Sequence, residues 1–239
     1  MKLVKSLEKI EEVTKETQAA SSADWIRYLK VRDGEFALIR FITDAKDVIS
    51  APMHNVTQMT PKGERTVKEY CTLSDNGACQ NCAKGSAPSE TIFLWVYVYY
   101  ILHRTQNPRL EMFPDQKWQP VKVGATNMYK EDINKPMILR TGVGKSNYIK
   151  NLFLDFAREY DTLVDRDYKW SRKGAGFNDT TYNLIAKDKS DTNSEIVSIT
   201  ETLPAMEDVI MGKVKTFGEV EKVTEISADD IAADIEELF

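Results

Sequence analysis

All three cysteines of this 239-residue chain lie within "CTLSDNGACQNC", residues 71 to 82, and any fold the chain adopts has to account for that cluster. An odd number of thiols makes no closed disulfide framework, and a chain this long can build a core without covalent staples. Cys79-Gln80-Asn81-Cys82 has the spacing that turns both thiolates toward one ion, and Cys71 lies just upstream across an "SDNG" turn. Three thiolates leave a tetrahedral ion one donor short, and the chain has only two histidines, His54 and His103. His54 follows the apolar run "FALIRFI", so a strand and a turn bring it back over the cysteines. His103 is the alternative, because distance along the chain does not exclude it. The expected centre is one structural zinc ion on His54, Cys71, Cys79 and Cys82, with no position left open for a reacting water.

The opening stretch "MKLVKSLEKIEEVTKE" breaks its apolar residues with charge every two or three positions, and no run of eighteen apolar residues occurs anywhere. The expectation is a protein of a reducing compartment with no membrane span. Charge is unevenly distributed. Residues 1–20 are neutral overall, residues 21–187 carry a net +5, and residues 188–239 a net −10, which together give the chain's −5. A mildly basic body joined to a strongly acidic tail implies a polyanion-binding surface that the net charge conceals.

The body reads as mainly β. "EFALIRFI" is a strand by content, and "TIFLWVYVYYI" is the strongest in the chain. Split by its period of two, the latter puts Ile92, Leu94, Val96 and Val98 on one face and Phe93, Trp95, Tyr97 and Tyr99 on the other. The aliphatic face suits a core. The aromatic face either meets a second core or serves as a platform on which bases stack. Further strands are expected in "EMFPDQKWQPVKVG" and "DTTYNLIAKD". One helix lies between them, in "NYIKNLFLDFAREYDTL", with Ile149, Leu152, Phe153 and Phe156 on one face and Ser146 as its cap. The preceding "RTGVGKS" ends like a phosphate-binding loop, but the place of that motif's first glycine holds Leu139, which leaves Lys145 as a basic residue at a helix start. With no nucleophile elbow, two histidines and all thiols assigned to metal, the expectation is a binding protein and not an enzyme.

Taken in order, "SSADWIRYLKVRDGEFALIRFI", His54, Cys71, Cys79-x-x-Cys82, the aromatic strand, and the GKS-led helix followed by "YKWSRKGAGFNDTTYNLIAKD" resemble the zinc-containing single-stranded DNA-binding protein of T-even-type bacteriophages. The likeness spans residues 20 to 187. It implies an α+β, mainly β chain: an OB-fold core over 21–187 with a zinc subdomain at about 54–90, a short N-terminal helix in a self-association arm over 1–20, a linker over 188–226, and a disordered acidic tail over 227–239. The arm departs from the family's basic pattern, since it is charge-balanced with an apolar stripe of Leu3, Leu7 and Ile10. The implied setting is the cytoplasm of an infected bacterium, where the protein coats single strands in replication, recombination and repair.

Arg40, Arg65, Lys68, Lys84, Arg104 and Lys145 are the candidates to track phosphates, and Trp95, Tyr97 and Tyr99, helped by Phe93, Tyr70 or Trp118, to stack unpaired bases. In the tail "SADDIAADIEELF", Ile231, Ile235 and Leu238 lie at helical spacing beside Ser227, Asp229, Asp230 and Asp234, and the chain closes on Phe239. Acidic tails ending in Phe look like those that recruit replication and recombination proteins: a helicase or its loader, a polymerase, a recombinase mediator. Two rival readings stay open: an RNA-binding translational-control module, because nothing reads a 2′-hydroxyl, and a zinc-stabilised interaction protein that binds no nucleic acid.

Overall fold

The computed structural model of the chain describes residues 26–60, 63–111, 114–143, 148–176 and 179–214. The N-terminal arm with Leu3, Leu7 and Ile10, the loop with Lys145 and Ser146, and the whole tail from 215 onward lie outside these residues. Most of the described chain is strand: β1 (Phe36–Phe41), β2 (Ile49–Thr60), β3 (Gly63–Tyr70), β4 (Ser89–His103), β5 (Gln119–Val123), β6 (Thr126–Gly142), β7 (Arg166–Lys173) and β8 (Thr181–Lys189). Helices are few and mostly short: α1 (Leu73–Asn76), α2 (Gln80–Ala83), α3 (Tyr148–Tyr160), α4 (Ser194–Thr200) and α5 (Met206–Ile210). The fold is therefore mainly β, and none of its described helices is long and apolar enough to cross a membrane.

The eight strands form one open antiparallel sheet with the path β3-β2-β4-β1-β7-β8, in which β6 pairs with β4 and β5 with β6. β4 is its hub. One edge is divided between β2, which takes residues 89–93, and β1, which takes residues 96–102. β6 runs along the other edge from Thr91 to His103. Between Val98 and Tyr100 the register slips by one residue, because β6 places Asn134 at φ 46° and so carries a bulge there. Asn is among the few non-glycine residues that tolerate such a φ.

The period of two expected for β4 holds, and both of its faces are buried. Ile92, Leu94, Val96 and Val98 pack into a core with Ala37, Ile39 and Phe41 of β1, Tyr168 and Trp170 of β7, and α3. α3 faces it with Ile149 and Phe153 fully and Leu152 and Phe156 partly buried, as the helical spacing requires, and Asp161 at φ 64° follows its last turn. On the opposite face Phe93 and Trp95 meet Ala51, Met53, Ile138 and the α5 residues Met206 and Val209. The expected stacking platform is thus corrected at these two rings: the segment after β8 returns across the sheet and covers them. Tyr97 is buried as well, and Tyr99 is half-buried with its ring centre 5.1 Å from that of Tyr97. Among the described residues of "EMFPDQKWQPVKVG", only Gln119–Val123 is strand, and Pro114–Gln116 forms a single 3-10 turn.

Because Trp95 is enclosed by residues from three elements, Trp95→Ala is expected to remove about 3–5 kcal/mol of stability, read as a lower denaturation midpoint in urea. A ring free to stack bases would change the midpoint by less than about 0.5 kcal/mol.

Candidate metal centre and its cationic margin

The four expected ligands come together. His54 lies on β2, Cys71 directly follows β3, Cys79 precedes α2 and Cys82 lies within it. Local structure explains the approach. The Cys71 N–H donates to Pro52 O at 2.9 Å, so the β2–β3 ladder carries the thiol in beside His54. Gly77, at φ 68°, ends α1 with its N–H on Leu73 O, and the chain then reverses into Cys79. One turn of α2 sets Cys82 next to Cys79, with the Ala83 N–H on Cys79 O at 3.0 Å.

His54 Nε2 lies 3.4 Å from Cys79 Sγ and 3.5 Å from Cys82 Sγ, Cys71 and Cys82 Sγ are 3.6 Å apart, and all four donor atoms fall within 4.8 Å of one another. A tetrahedral ion with metal–sulfur bonds of about 2.3 Å and metal–nitrogen bonds of about 2.0 Å separates its donors by about 3.5–3.8 Å, so the set is positioned to hold a metal ion. His54 is fully buried, and its Nδ1 lies 3.2 Å from Ser86 Oγ. A proton held on Nδ1 and donated to Ser86 leaves Nε2 free as the ligand, an outer contact that fixes the ring's orientation. Farther out, Asn81 donates to Glu69 Oε2 and Gln58 to Glu69 Oε1, tying the cysteine loop to both strands.

The thiols cannot all ionise unaided. The backbone N–H of Cys82 draws the Cys79 thiol down to about 6, whereas burial, followed by the neighbouring thiols, pushes Cys82 up to about 11. A metal ion held by these residues would resolve that conflict by stabilising all three as thiolates.

His103 is not the fourth ligand. It sits between two carboxylates, with Nδ1 3.1 Å from Glu35 Oε1 and Nε2 3.0 Å from Glu131 Oε2, while Trp118 stacks on its ring at 4.0 Å. Burial opposes its charge, but the hydrogen bonds to Glu131 and Glu35 win and raise it to about 9. Trp118 is therefore held by an imidazolium.

The other expected contact residues divide clearly. Arg40 is corrected: it is 2% exposed and spends its guanidinium inside the protein, on Asp167 at 2.8 Å, on Thr192 at 3.1 Å and on Ser190. Asp167 also accepts from Tyr99 Oη at 3.0 Å. Tyr70 packs partly buried against the core that holds Phe93, and Lys84 lies exposed beyond α2. Arg104 is exposed at the far end of β4, 3.7 Å from Asp33.

Arg65 and Lys68, on β3, gather with two cations the sequence reading missed, Lys30 and Arg140. Partial burial and then repulsion by Arg65, Arg140 and Arg32 hold Lys30 below an ordinary lysine, and burial and then Arg140 do the same to Lys68. Arg140 lies over the Tyr28 ring at 4.1 Å, and Lys68 Nζ donates to Thr91 Oγ1 at 3.1 Å. None of Lys30, Lys68 and Arg140 makes an ion pair among the described residues. The signal that could have found Arg140 is its place in "MILRTG", a cation in register with the inward-facing Ile138.

Elemental analysis is expected to find one metal ion per chain, lost in His54→Ala and kept in His103→Ala. A second expectation concerns pH. Because folding raises His103 from its ordinary value near 6.5 to about 9, its stabilisation is complete below about 6.5 and disappears as pH rises through about 9. The urea midpoint should fall over that window by an amount corresponding to up to about 3 kcal/mol, and His103→Gln should flatten the fall. No family model, no curated protein and no solved structure matches the chain.

Proposed function

We propose that the chain is a sequence-tolerant single-stranded DNA-binding protein of the T-even-type phage kind, with an OB-fold core, one structural zinc ion and an acidic tail that recruits replication and recombination proteins. The observation that carries this reading is the group of Lys30, Arg65, Lys68 and Arg140 at the junction of the metal-bound hairpin and the sheet, where three of the four cations meet no carboxylate among the described residues. Like charges brought this close and partly out of water raise the free energy of the unliganded protein. A polyphosphate backbone relieves that repulsion and releases its condensed counterions. The three-thiolate, one-imidazole donor set favours zinc over harder ions and, with all four positions filled, gives it a structural role.

With Phe93 and Trp95 in the core, base contacts fall to half-buried rings at the rim: Tyr28 beside Arg140, then Tyr70, Tyr99 and Trp118. Such rings stack unpaired bases whatever their identity and offer little to a closed duplex. The chain's own groups bind and orient the strand, and no chemical step is assigned to it.

Trp95 and Trp170 are buried, so intrinsic tryptophan fluorescence reports poorly on binding, and anisotropy of a labelled oligo(dT) is the better probe. The wild type is expected to bind it more tightly than a matched duplex or RNA, with an affinity that falls steeply with salt. Lys30→Gln and Arg140→Gln should each lower the log–log salt slope by about 0.7. Equal binding of RNA would favour the translational-control reading, and no binding of either would favour the interaction protein.

A further inference from the structure

The end of β4 remote from the thiol cluster carries a charged group that lies outside both apolar cores. His103, the last residue of the strand, is buried, and so is Glu35 just before β1. An imidazolium taken out of water between two carboxylates carries a desolvation cost that an apolar side chain in the same space would avoid. What the group holds is Trp118, stacked on the imidazole with ring centres 4.0 Å apart and planes inclined by 14°. Trp118 is half-buried and belongs to neither core, and His103 is its one ring partner among the described residues.

The indole is fixed from its backbone as well. The Gln106 amide brackets it, with Oε1 accepting from the Trp118 N–H at 3.0 Å and Nε2 donating to Trp118 O at 3.1 Å. Asn107, also buried, donates to Gln116 O at 2.8 Å and accepts from the Arg109 N–H at 2.9 Å. Polar side chains therefore order the connection from β4 to β5 around the ring. One face of the indole lies on the imidazole, so the exposure that Trp118 keeps belongs to its other face and its edge.

We infer that Trp118 is a stacking subsite for a purine base, and that His103, braced by Glu35 and Glu131, is the positioning residue that fixes the ring and draws electron density from it. This rests on the single-strand-binding reading above. A cation against one face of an aromatic ring makes the opposite face a better partner for an electron-rich ring, and a purine covers more of that face than a pyrimidine does.

The surroundings leave the charge of His103 to two groups. Glu35 faces it from the segment before β1, its other oxygen accepting from the Arg32 N–H at 2.9 Å, and Glu131 faces it from β6. Tyr129 of β6 lies opposite it in register, and Arg104, next on β4, turns to Asp33 at 3.7 Å. With His103 raised to about 9, the imidazolium is present below that pH and lost above it. Purine stacking should follow the same course.

The test uses the full metal-loaded chain with labelled oligo(dA) and oligo(dT), and each affinity is referred to the folded fraction from a urea curve. At about pH 7.5, Trp118→Leu should weaken oligo(dA) binding roughly tenfold and oligo(dT) binding roughly threefold. Adenine has no group that titrates between about pH 7.5 and about pH 10, so oligo(dA) is the probe for the pH series. Over that range the wild type should lose roughly threefold more affinity than His103→Gln, a comparison in which losses shared by both proteins cancel. A second readout is optical. An imidazolium in contact with an excited indole quenches it and a neutral imidazole does so far less, so the emission difference between wild type and Trp118→Leu should rise through about pH 9. The rise should be absent when His103→Gln is the background.

Equal losses of oligo(dA) and oligo(dT) in Trp118→Leu, or none, would overturn the purine subsite. Identical pH profiles for wild type and His103→Gln, or an emission rise that survives His103→Gln, would overturn the positioning role. Failure of the wild type to bind either oligomer would sink the single-strand-binding reading, and the subsite with it. That failure is distinguishable from the others, because the emission titration reports on His103 and Trp118 without any oligomer present.

Discussion

β4 is apolar on both faces and hydrogen-bonded along both edges, and the rest of the molecule is arranged to satisfy it. A strand of this kind cannot lie at a surface, since Ile92, Leu94 and Val96 need one layer over them and Phe93 and Trp95 another. In the first layer, α3 covers this face, packing on β4 together with its sheet neighbours β1 and β7. The second is assembled from β2 at one end and α5 at the other, elements more than 100 residues apart in the chain. Sharing one edge of β4 between β1 and β2 has a further effect. It bends the chain at residues 42–48 and sends β2 out past the start of β4, so that beyond Met53 the β2–β3 pair extends past β4 with the Cys/His cluster at its root.

The same accounting explains which parts of the molecule are legible in the sequence. The metal ligands are, because cysteine and histidine are rare in this chain and their chemistry leaves few alternatives once three thiols lie in twelve residues. The β4 alternation and the α3 stripe are also legible, because periodicity is a local property of side-chain direction. What covers the aromatic face is not. The cover is a five-residue helix whose contribution is two side chains, Met206 and Val209, too short a pattern to distinguish from a linker. Arg40 fails for the same reason: within "FALIRFI" it looks like an exposed cation, and only folding brings Asp167, Ser190 and Thr192 around it. Beyond Met53, β2 and β3 are mostly polar, with no buried described residue from 55 to 70 to announce them. Their order comes from pairing and from the cluster at their root.

Arg40 also joins the two halves of the fold electrostatically. Its partner Asp167 lies on β7, and Ser190 and Thr192 begin the segment that crosses to the second core. A guanidinium so enclosed is stable in the interior only because Asp167 and the hydroxyls surround it, and removing Asp167 would leave a buried charge unpaired. The path of the chain after β8 is thereby fixed before α4 and α5 reach the aromatic face. The covering of Phe93 and Trp95 is thus anchored at its start by charge and at its end by apolar contact.

A metal ion suits the β2–β3 arm better than a larger core would. Arg65 and Lys68 lie on an arm with no buried described residue from 55 to 70, and on the single-strand-binding reading proposed above, burying it would remove those charges from reach. It has also to be held against repulsion from Lys30 and Arg140, which opposes its docked position in the absence of a ligand. Thiolate and imidazole bonds to one ion give a large local free energy in a small volume, without apolar area, and at the root where leverage on the arm is greatest. A metal ion held by His54, Cys71, Cys79 and Cys82 would fix the root of the arm against that repulsion.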